Sequence, residues 1–430
     1  MRRVAIIGTG IAGLGAARRL APHADITLFE KNAWIGGHSH TVDVVWGPHT
    51  TPVDTGFIVY NEKNYPNLTR LFAELGVPTE GSDMSFGVSL DDGRLEYGTE
   101  RYNAIFGQRR NVLNPRFLGL LLDILRFFRT APKVLEGGPE SRHDGGPTLG
   151  DWLERSKFGR AFIEDHLLPM AAAIWSCPTA VMLDFPLISF LRFFHNHGLL
   201  TYDDRPAWRT VAGGSREYVQ RLIRPFADRI RTETPVHAIR RYGAGAEVST
   251  DRGAEHFDHV VVATHGDQAL RLLGDASADE RRILGAFRTQ ENKGYLHSDV
   301  DLMPHRRRVW SSWNYLGDRG QSGERRVFVS YWMNRLQRLD TSLPIFLTLN
   351  PTRLPREELI HRELAYEHPV FDKEALAAQV DLAAVQGTRR TWFCGSYCGH
   401  GFHEDALAAG LAAADGVIAA FDQPKPMAAD

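Results

Sequence analysis

Residues 4–13 read VAIIGTGIAG, and residues 14–30 continue LGAARRLAPHADITLFE. A short apolar run leads into three glycines, then a helical pattern, then a second apolar run that ends on an acid. This is the order of a dinucleotide-binding βαβ unit. Gly8 makes the tight turn after the strand, Gly10 lets backbone approach a pyrophosphate, and Gly13 allows close helix–strand packing. Ile11 and Ala12 open the helix, whose N-terminal N–H groups would receive the phosphates. Glu30 follows Gly8 by 22 positions, where a carboxylate that binds ribose hydroxyls belongs. An acid there repels a 2′-phosphate and disfavours NADP. NAD and FAD are not separated by this stretch.

The rest of the composition is that of a folded chain. Its 430 residues are 43% hydrophobic and 24% charged, with a formal net charge of -2, so length allows two or three domains and the charge gives no broad nucleic-acid footprint. Three cysteines do not make a disulfide scaffold and point to a reducing, cytoplasmic compartment. The two N-terminal arginines look like a signal peptide only superficially, because glycines and a strand pattern follow at once. No uncharged apolar run of about 18 residues occurs, so no transmembrane span is expected.

Residues 30–41, EKNAWIGGHSHT, are more specific. A double glycine, Gly36-Gly37, follows the ribose acid and Lys31. This segment resembles the flavin-dependent amine oxidase and phytoene desaturase superfamily. GGHSHT, with the later PVDTGFIVYNEKNYPNL, is most similar to a bacterial branch of amine-oxidase-like FAD proteins associated with modification of unsaturated or cyclopropane fatty acids. The resemblance implies FAD as cofactor. It places Gly36, Gly37, His38 and Ser39 beside the pyrophosphate and flavin, Asp54 and Gly56 near the cofactor, and Val236 and Ala263 on the adenine and strand-end side. One departure is Ala33-Trp34-Ile35, where relatives carry a basic residue.

The fold expected is α/β, a Rossmann-type, glutathione-reductase-like FAD-binding domain interleaved with an α+β substrate domain. Residues 1–75, 206–265 and 386–425 are assigned to the FAD-binding domain, and 76–205 with 266–385 to the substrate domain. FGVSLDDGRLEYG is a hairpin with Asp92-Gly93 at its tip. Phe117–Phe128, FLGLLLDILRFF, is an apolar helix with one narrow polar stripe at Arg116, Gly119, Asp123 and Arg126. It suits either a mostly buried helix or one at a membrane surface or fatty tunnel. Residues 137–146 read as a loop and 422–430 as a frayed tail. Trp310, Trp313, Tyr315, Tyr331 and Trp332 suit the wall of an apolar cavity and equally a sheet packed on its own core.

Residues 392–410, WFCGSYCGHGFHEDALAAG, hold two cysteines, two histidines and two acids. Cys394 and Cys398 are too far apart for a CxxC knuckle, HEDAL is not HExxH, and the glycines deny a metal its rigid surroundings; no metal is expected. The alternative is a short strand, a glycine-rich turn and a small-residue helix, the arrangement with which the superfamily closes its FAD domain. On that reading Gly395 approaches the pyrophosphate or ribityl chain, and Gly401, Phe402 and His403 the flavin edge. Ala406 and Gly410 let the helix pack closely.

A flavin can accept hydride from a C–H bond and pass electrons to O2, a quinone or a carrier protein. The proton acceptors considered are Lys293, His195, His197 and Glu404. The resemblance offers Lys293 as counterpart of the lysine that amine oxidases hold near the flavin, and Tyr397 as a substrate-cage residue. His403 completes the set of candidate catalytic residues. The apolar runs at 117–129 and 185–194 favour desaturation of a lipid-like acyl chain, with peripheral contact at the inner face of the membrane. A flavin amine oxidase, or a non-redox lipid-binding protein or isomerase, are the alternatives.

Overall fold

The computed structural model describes the chain except residues 101, 138–145, 176–181, 197, 202–205, 244, 320–324 and 422–430. The core of the first unit is a parallel five-stranded sheet. Its order is Ile230–Arg231, Asp25–Phe29, Arg3–Ile7, His259–Val262 and Thr391–Phe393. The central strands are buried on both faces, which is why they read as continuous apolar runs. On one face lie the helix Ile11–Leu20 and the C-terminal helix His403–Phe421, sharing a core of Val4, Ile6, Leu14, Ala17, Leu407 and Val417. On the other face lie the helices Gly266–Leu272, Ala278–Gly285 and Lys373–Asp381 and a three-stranded antiparallel sheet from 236 to 257. The sequence reading gave 266–385 to the substrate domain. These three helices instead bury Ala269, Ile283, Leu284 and Ala375 against the dinucleotide sheet.

The second unit is a seven-stranded sheet. Its order is Ile360–Pro369, Thr289–His297, Phe346–Leu349, Arg325–Trp332, Trp313–Arg319, Phe86–Leu90 and Leu95–Gly98. All neighbours are antiparallel except Trp313–Arg319 with Phe86–Leu90. The last two strands are the expected hairpin, and its turn takes positive φ at Asp91, Asp92 and Gly93. The sheet shares one core with helices at 115–135, 149–155, 168–175 and 187–196, rich in Phe117, Phe127, Phe162, Phe190 and Phe194. Crossing back and forth between the units makes the architecture an α/β Rossmann-like unit with a separate α+β unit.

The helix Pro115–Leu135 departs from the buried-helix expectation. Asn114 caps it by accepting from the Arg116 and Phe117 N–H groups, and Pro115 stands at its first turn, both favourable there. Phe117, Leu120, Ile124, Phe127 and Ala131 are buried, at helical spacing. Yet Leu118, Leu122 and Leu125 are exposed. Two members of the polar stripe also meet protein: Asp123 accepts from Gly159 N at 2.8 Å, and Arg126 donates to the Ser156 carbonyl and lies 4.4 Å over the Phe158 ring. No helix among the described residues is long and apolar enough to cross a membrane. The 138–145 part of the expected loop and the 422–430 tail lie outside the described residues.

Candidate active site

The glycines of the first turn act as their spacing requires. A Cβ on Gly13 would lie 2.0 Å from the Gly8 carbonyl oxygen, so only glycine lets the helix sit this close. Gly8 has φ +101, and a Cβ there would lie 2.6 Å from the carbonyl of Ala263, whose own N–H donates to the Ile7 carbonyl at 2.8 Å. A Cβ on Gly10 would meet nothing within 4 Å. That open side at a helix N-terminus with no acid in its first turn is a cradle for an anion. Gly36 and Gly37, both at positive φ, run beside it; Gly10 and Gly36 form a parallel bridge.

Glu30 is buried and pointed back at this turn. It accepts from Thr9 N at 3.1 Å and Thr9 Oγ1 at 2.6 Å, and from Asn32 N and Nδ2 at 2.9 Å each. The segment leading to Val236 runs alongside: Thr234 N donates to the Glu30 carbonyl at 2.8 Å. Lys31 is exposed.

Beyond the double glycine the chain brings histidines together. The His38 ring lies 5.2 Å from Tyr366, 5.5 Å from His368 and 6.1 Å from His265. Its Nε2 is buried without a hydrogen-bond partner. Burial, and then His368, His265 and His403, hold its pKa well below the ordinary value. Burial likewise brings His368 down to about 4, and its Nδ1 accepts from Asn292 Nδ2 at 3.0 Å. Tyr366 OH bonds Thr55 Oγ1 at 2.6 Å and His40 Nδ1 at 3.0 Å. A Cβ on Gly56 would lie 2.1 Å from the His38 carbonyl, so Gly56 is what lets this loop pass.

The first turn of the C-terminal helix closes the other side. His403 stacks on Phe57 at 4.0 Å and its Nε2 meets Tyr218 OH at 2.7 Å. Tyr218 OH also bonds Ser39 Oγ. Burial lowers the His403 pKa to about 3, so the ring is neutral. Phe402 stacks on Phe193 of the substrate unit at 5.0 Å, and a Cβ on Gly401 would lie 2.7 Å from the Phe371 ring. Ala406 is buried in the core shared with the first helix.

Several expected roles change. Lys293 is exposed on its strand, while its neighbour Asn292 is buried and bonds His368; alternation along the strand turns the lysine away. Glu404 is a helix cap: its carboxylate accepts from Asn67 N (2.9 Å), Asn67 Nδ2 (2.7 Å) and Leu68 N (3.0 Å) at the start of helix Pro66–Leu75. Tyr397 is buried with Phe287 and Ala375 in the core on the far face of the dinucleotide sheet, not in a substrate cage. Gly395 is placed against that ring, 2.8 Å from where its Cβ would be. Asp54 gives its carboxylate to protein donors, Thr41 Oγ1 (2.6 Å), Ser215 N (2.8 Å), Ser215 Oγ (2.8 Å) and Gln337 Nε2 (3.3 Å), and burial raises it to about 6. It ties three segments together rather than offering itself to a ligand. His195 is exposed, and His197 lies outside the described residues. Cys394 and Cys398 are free thiols pushed up by burial, Cys398 to about 12, the state of an inert thiol. Among the described residues no cluster of His, Cys, Asp and Glu could hold a metal.

Phe57, Phe193, Tyr218, Tyr366 and His368 were not singled out by sequence. For Tyr366 and His368 a signal existed: they alternate in YEH on one strand and so share a face.

The residues present fit a flavin dinucleotide. The open cradle over Gly10, the double glycine beside it and the buried carboxylate at the strand end carry that fit. A family model described as flavin containing amine oxidoreductase matches residues 11–334. The AofH protein of Mycobacterium tuberculosis, named as a flavin-containing monoamine oxidase, is 25% identical over 273 residues, 60% of this chain and 56% of that protein. The chain thus spans about half the length of the curated relatives it matches. Cyclohexylamine oxidase from Brevibacterium oxydans shares the fold with a TM-score of 0.70 at 15% identity, over 98% of this chain and all of that one. A fatty acid isomerase from P. acnes shares it at 0.64 and 16%, over 98% and 99%. The chain belongs to the flavin containing amine oxidoreductase family.

Proposed function

We propose that this enzyme removes hydride from a carbon–hydrogen bond of a largely apolar, acyl-chain-like substrate. Bound FAD supplies the hydride acceptor. The observation that carries the reading is the wall facing the first turn of the C-terminal helix. Phe402 stacks on Phe193, Phe371 lies against Gly401, and both join the core that holds Trp313, Tyr331 and Leu364. Such a wall orients an apolar chain and keeps water out. His38 is the proton acceptor this arrangement offers, a weak one because burial holds its pKa well below the ordinary value. Its hydrogen bond with the Glu367 backbone leaves Nε2 as the unpaired ring nitrogen, and the ring is neutral. Tyr218 and Ser39 fix the His403 ring at the helix start.

A second reading, which the comparisons support better than the first, is oxidation of an amine: the family model over residues 11–334, the likeness to AofH over 60% of the chain and the fold shared with cyclohexylamine oxidase all lend it support. The exposed Lys293 and the deeply packed Tyr397 leave that chemistry without the two residues expected to serve it. Anaerobic mixing of purified holoenzyme with cis-unsaturated fatty acids, and separately with primary and polyamines, tests both. Bleaching of the flavin band by the acyl chains is expected. Bleaching by amines alone, with peroxide release under air, would establish the second reading and end the first.

A further inference from the structure

The edge of the seven-stranded sheet farthest from Tyr366 and His368 carries a surface that the oxidative site does not use. There the hairpin ending at Gly98 packs beside residues 102–113 and 305–309. Buried Glu96 organises it. Glu96 accepts from His305 N at 2.7 Å and Arg306 N at 3.2 Å, and pairs with Arg306 Nη1 at 2.6 Å. Gly107 fits against Val309 and Arg308. Glu96 thereby takes Arg306 as its counterion and leaves the following arginines without one.

Arg109, Arg110, Arg307 and Arg308 are all exposed. Arg109 donates to the Phe106 carbonyl, Arg110 to the Arg94 carbonyl, and Arg307 lies 4.8 Å over the Trp310 ring. None of the four pairs with a carboxylate among the described residues. With Gly107 and Arg306, three of them line a cleft of about 530 Å³. The chain leaves this cleft through Val112 and Leu113, the latter 87% exposed, and enters the long helix. On that helix Leu118, Leu122 and Leu125 form one exposed stripe at spacings of four and three, and Arg129 extends it. Exposed leucines beside unneutralised arginines are the two components of an interfacial membrane contact.

We propose that this face docks on an anionic phospholipid bilayer, with the arginines against headgroup phosphates and Leu113, Leu118, Leu122 and Leu125 in the interface. A second copy of the chain is a poor occupant, because a two-fold contact through this patch would set four unneutralised arginines against four more. The proposal does not depend on which substrate is oxidised.

Flotation of the holoenzyme tests it. The vesicles are phosphatidylcholine alone, or with about one third phosphatidylglycerol, at about 0.1 and 0.5 M salt. The enzyme is expected to float with the phosphatidylglycerol vesicles at low salt and to stay behind in the other conditions. Arg307→Gln and Arg308→Gln should each lower partitioning by about fivefold. Leu122→Asp and Leu113→Asp should lower it further, with flavin content and melting temperature kept as the check on folding. Wild-type protein left in the soluble fraction at low salt would overturn the proposal. So would flotation of folded Leu113→Asp equal to wild type, or a concentration-dependent dimer that Leu113→Asp dissolves.

Discussion

Gly410 of the C-terminal helix and Ala12 of the dinucleotide helix meet backbone to backbone: a Cβ on Gly410 would lie 2.1 Å from the Ala12 carbonyl oxygen. The contact joins the two chain segments whose N-terminal turns border the proposed cofactor site. A methyl group there must push the helices apart. Gly410→Ala is expected to cost about 1–3 kcal/mol or more, the range for an overpacked core. Thermal melting and bound flavin per chain should fall together.

Gly10 and Gly13 make a contrasting pair. A Cβ on Gly10 points into open space, and one on Gly13 into the Gly8 carbonyl at 2.0 Å. Gly10→Ala should leave the melting temperature of the flavin-free protein unchanged and weaken FAD binding by about tenfold or more, as lost phosphate approach implies. Gly13→Ala should lower stability even without FAD. Fluorescence titration with FAD and melting of the stripped protein separate the two; equal melting of both variants would refute the assignment.

Acid should destabilise the fold. Burial lowers His403 from 6.5 to about 3, and His368, His297 and His259 from 6.5 to about 4. Below pH 6.5 the unfolded chain takes up protons that these buried rings refuse, so stability rises with pH in this window. Their contribution is complete above 6.5 and is lost as pH falls toward 4 and then 3. Asp54, raised from 3.8 to about 6, acts in the opposite sense between those values, but the histidines outnumber it. Denaturant midpoints from pH 7 to pH 4 should fall, and Tyr218→Phe, which deprives His403 of its 2.7 Å partner, should lower the pH 7 value by about 1–3 kcal/mol.

Lys293 and Glu404 should fail as catalytic residues in different ways. Lys293→Met changes an exposed side chain, so turnover should stay within about twofold and stability within about 0.5 kcal/mol. Glu404→Gln disturbs three hydrogen bonds at the start of helix Pro66–Leu75. It should cost about 1–2 kcal/mol, with reaction rate per bound flavin little changed. Steady-state rates normalised to flavin content decide both.

Much of the cofactor unit was legible in the sequence, because its determinants are local. Gly8, Gly10 and Gly13 have steric roles that neighbours within one turn define, and Glu30 sits at a strand end set by a short period. The glycine-rich turn before His403 and the hairpin at Asp92-Gly93 are local in the same way. The long helix was legible as a helix but not as to which face is covered. Asp123 and Arg126 of its polar stripe found partners in the 156–159 turn, and Leu118, Leu122 and Leu125 stayed exposed.

By itself, then, the sequence determined the βαβ start, the closing helix and an apolar, aromatic substrate unit, since periodicity and glycine sterics act over a few residues. The tertiary structure alone decided which side chains share the site. Tyr366 reaches His40 across 326 positions and Tyr218 reaches His403 across 185. Tyr397, beside the flavin turn in sequence, is carried under the sheet instead. Contacts at such separations depend on how two interleaved units pack, and no local pattern carries that information.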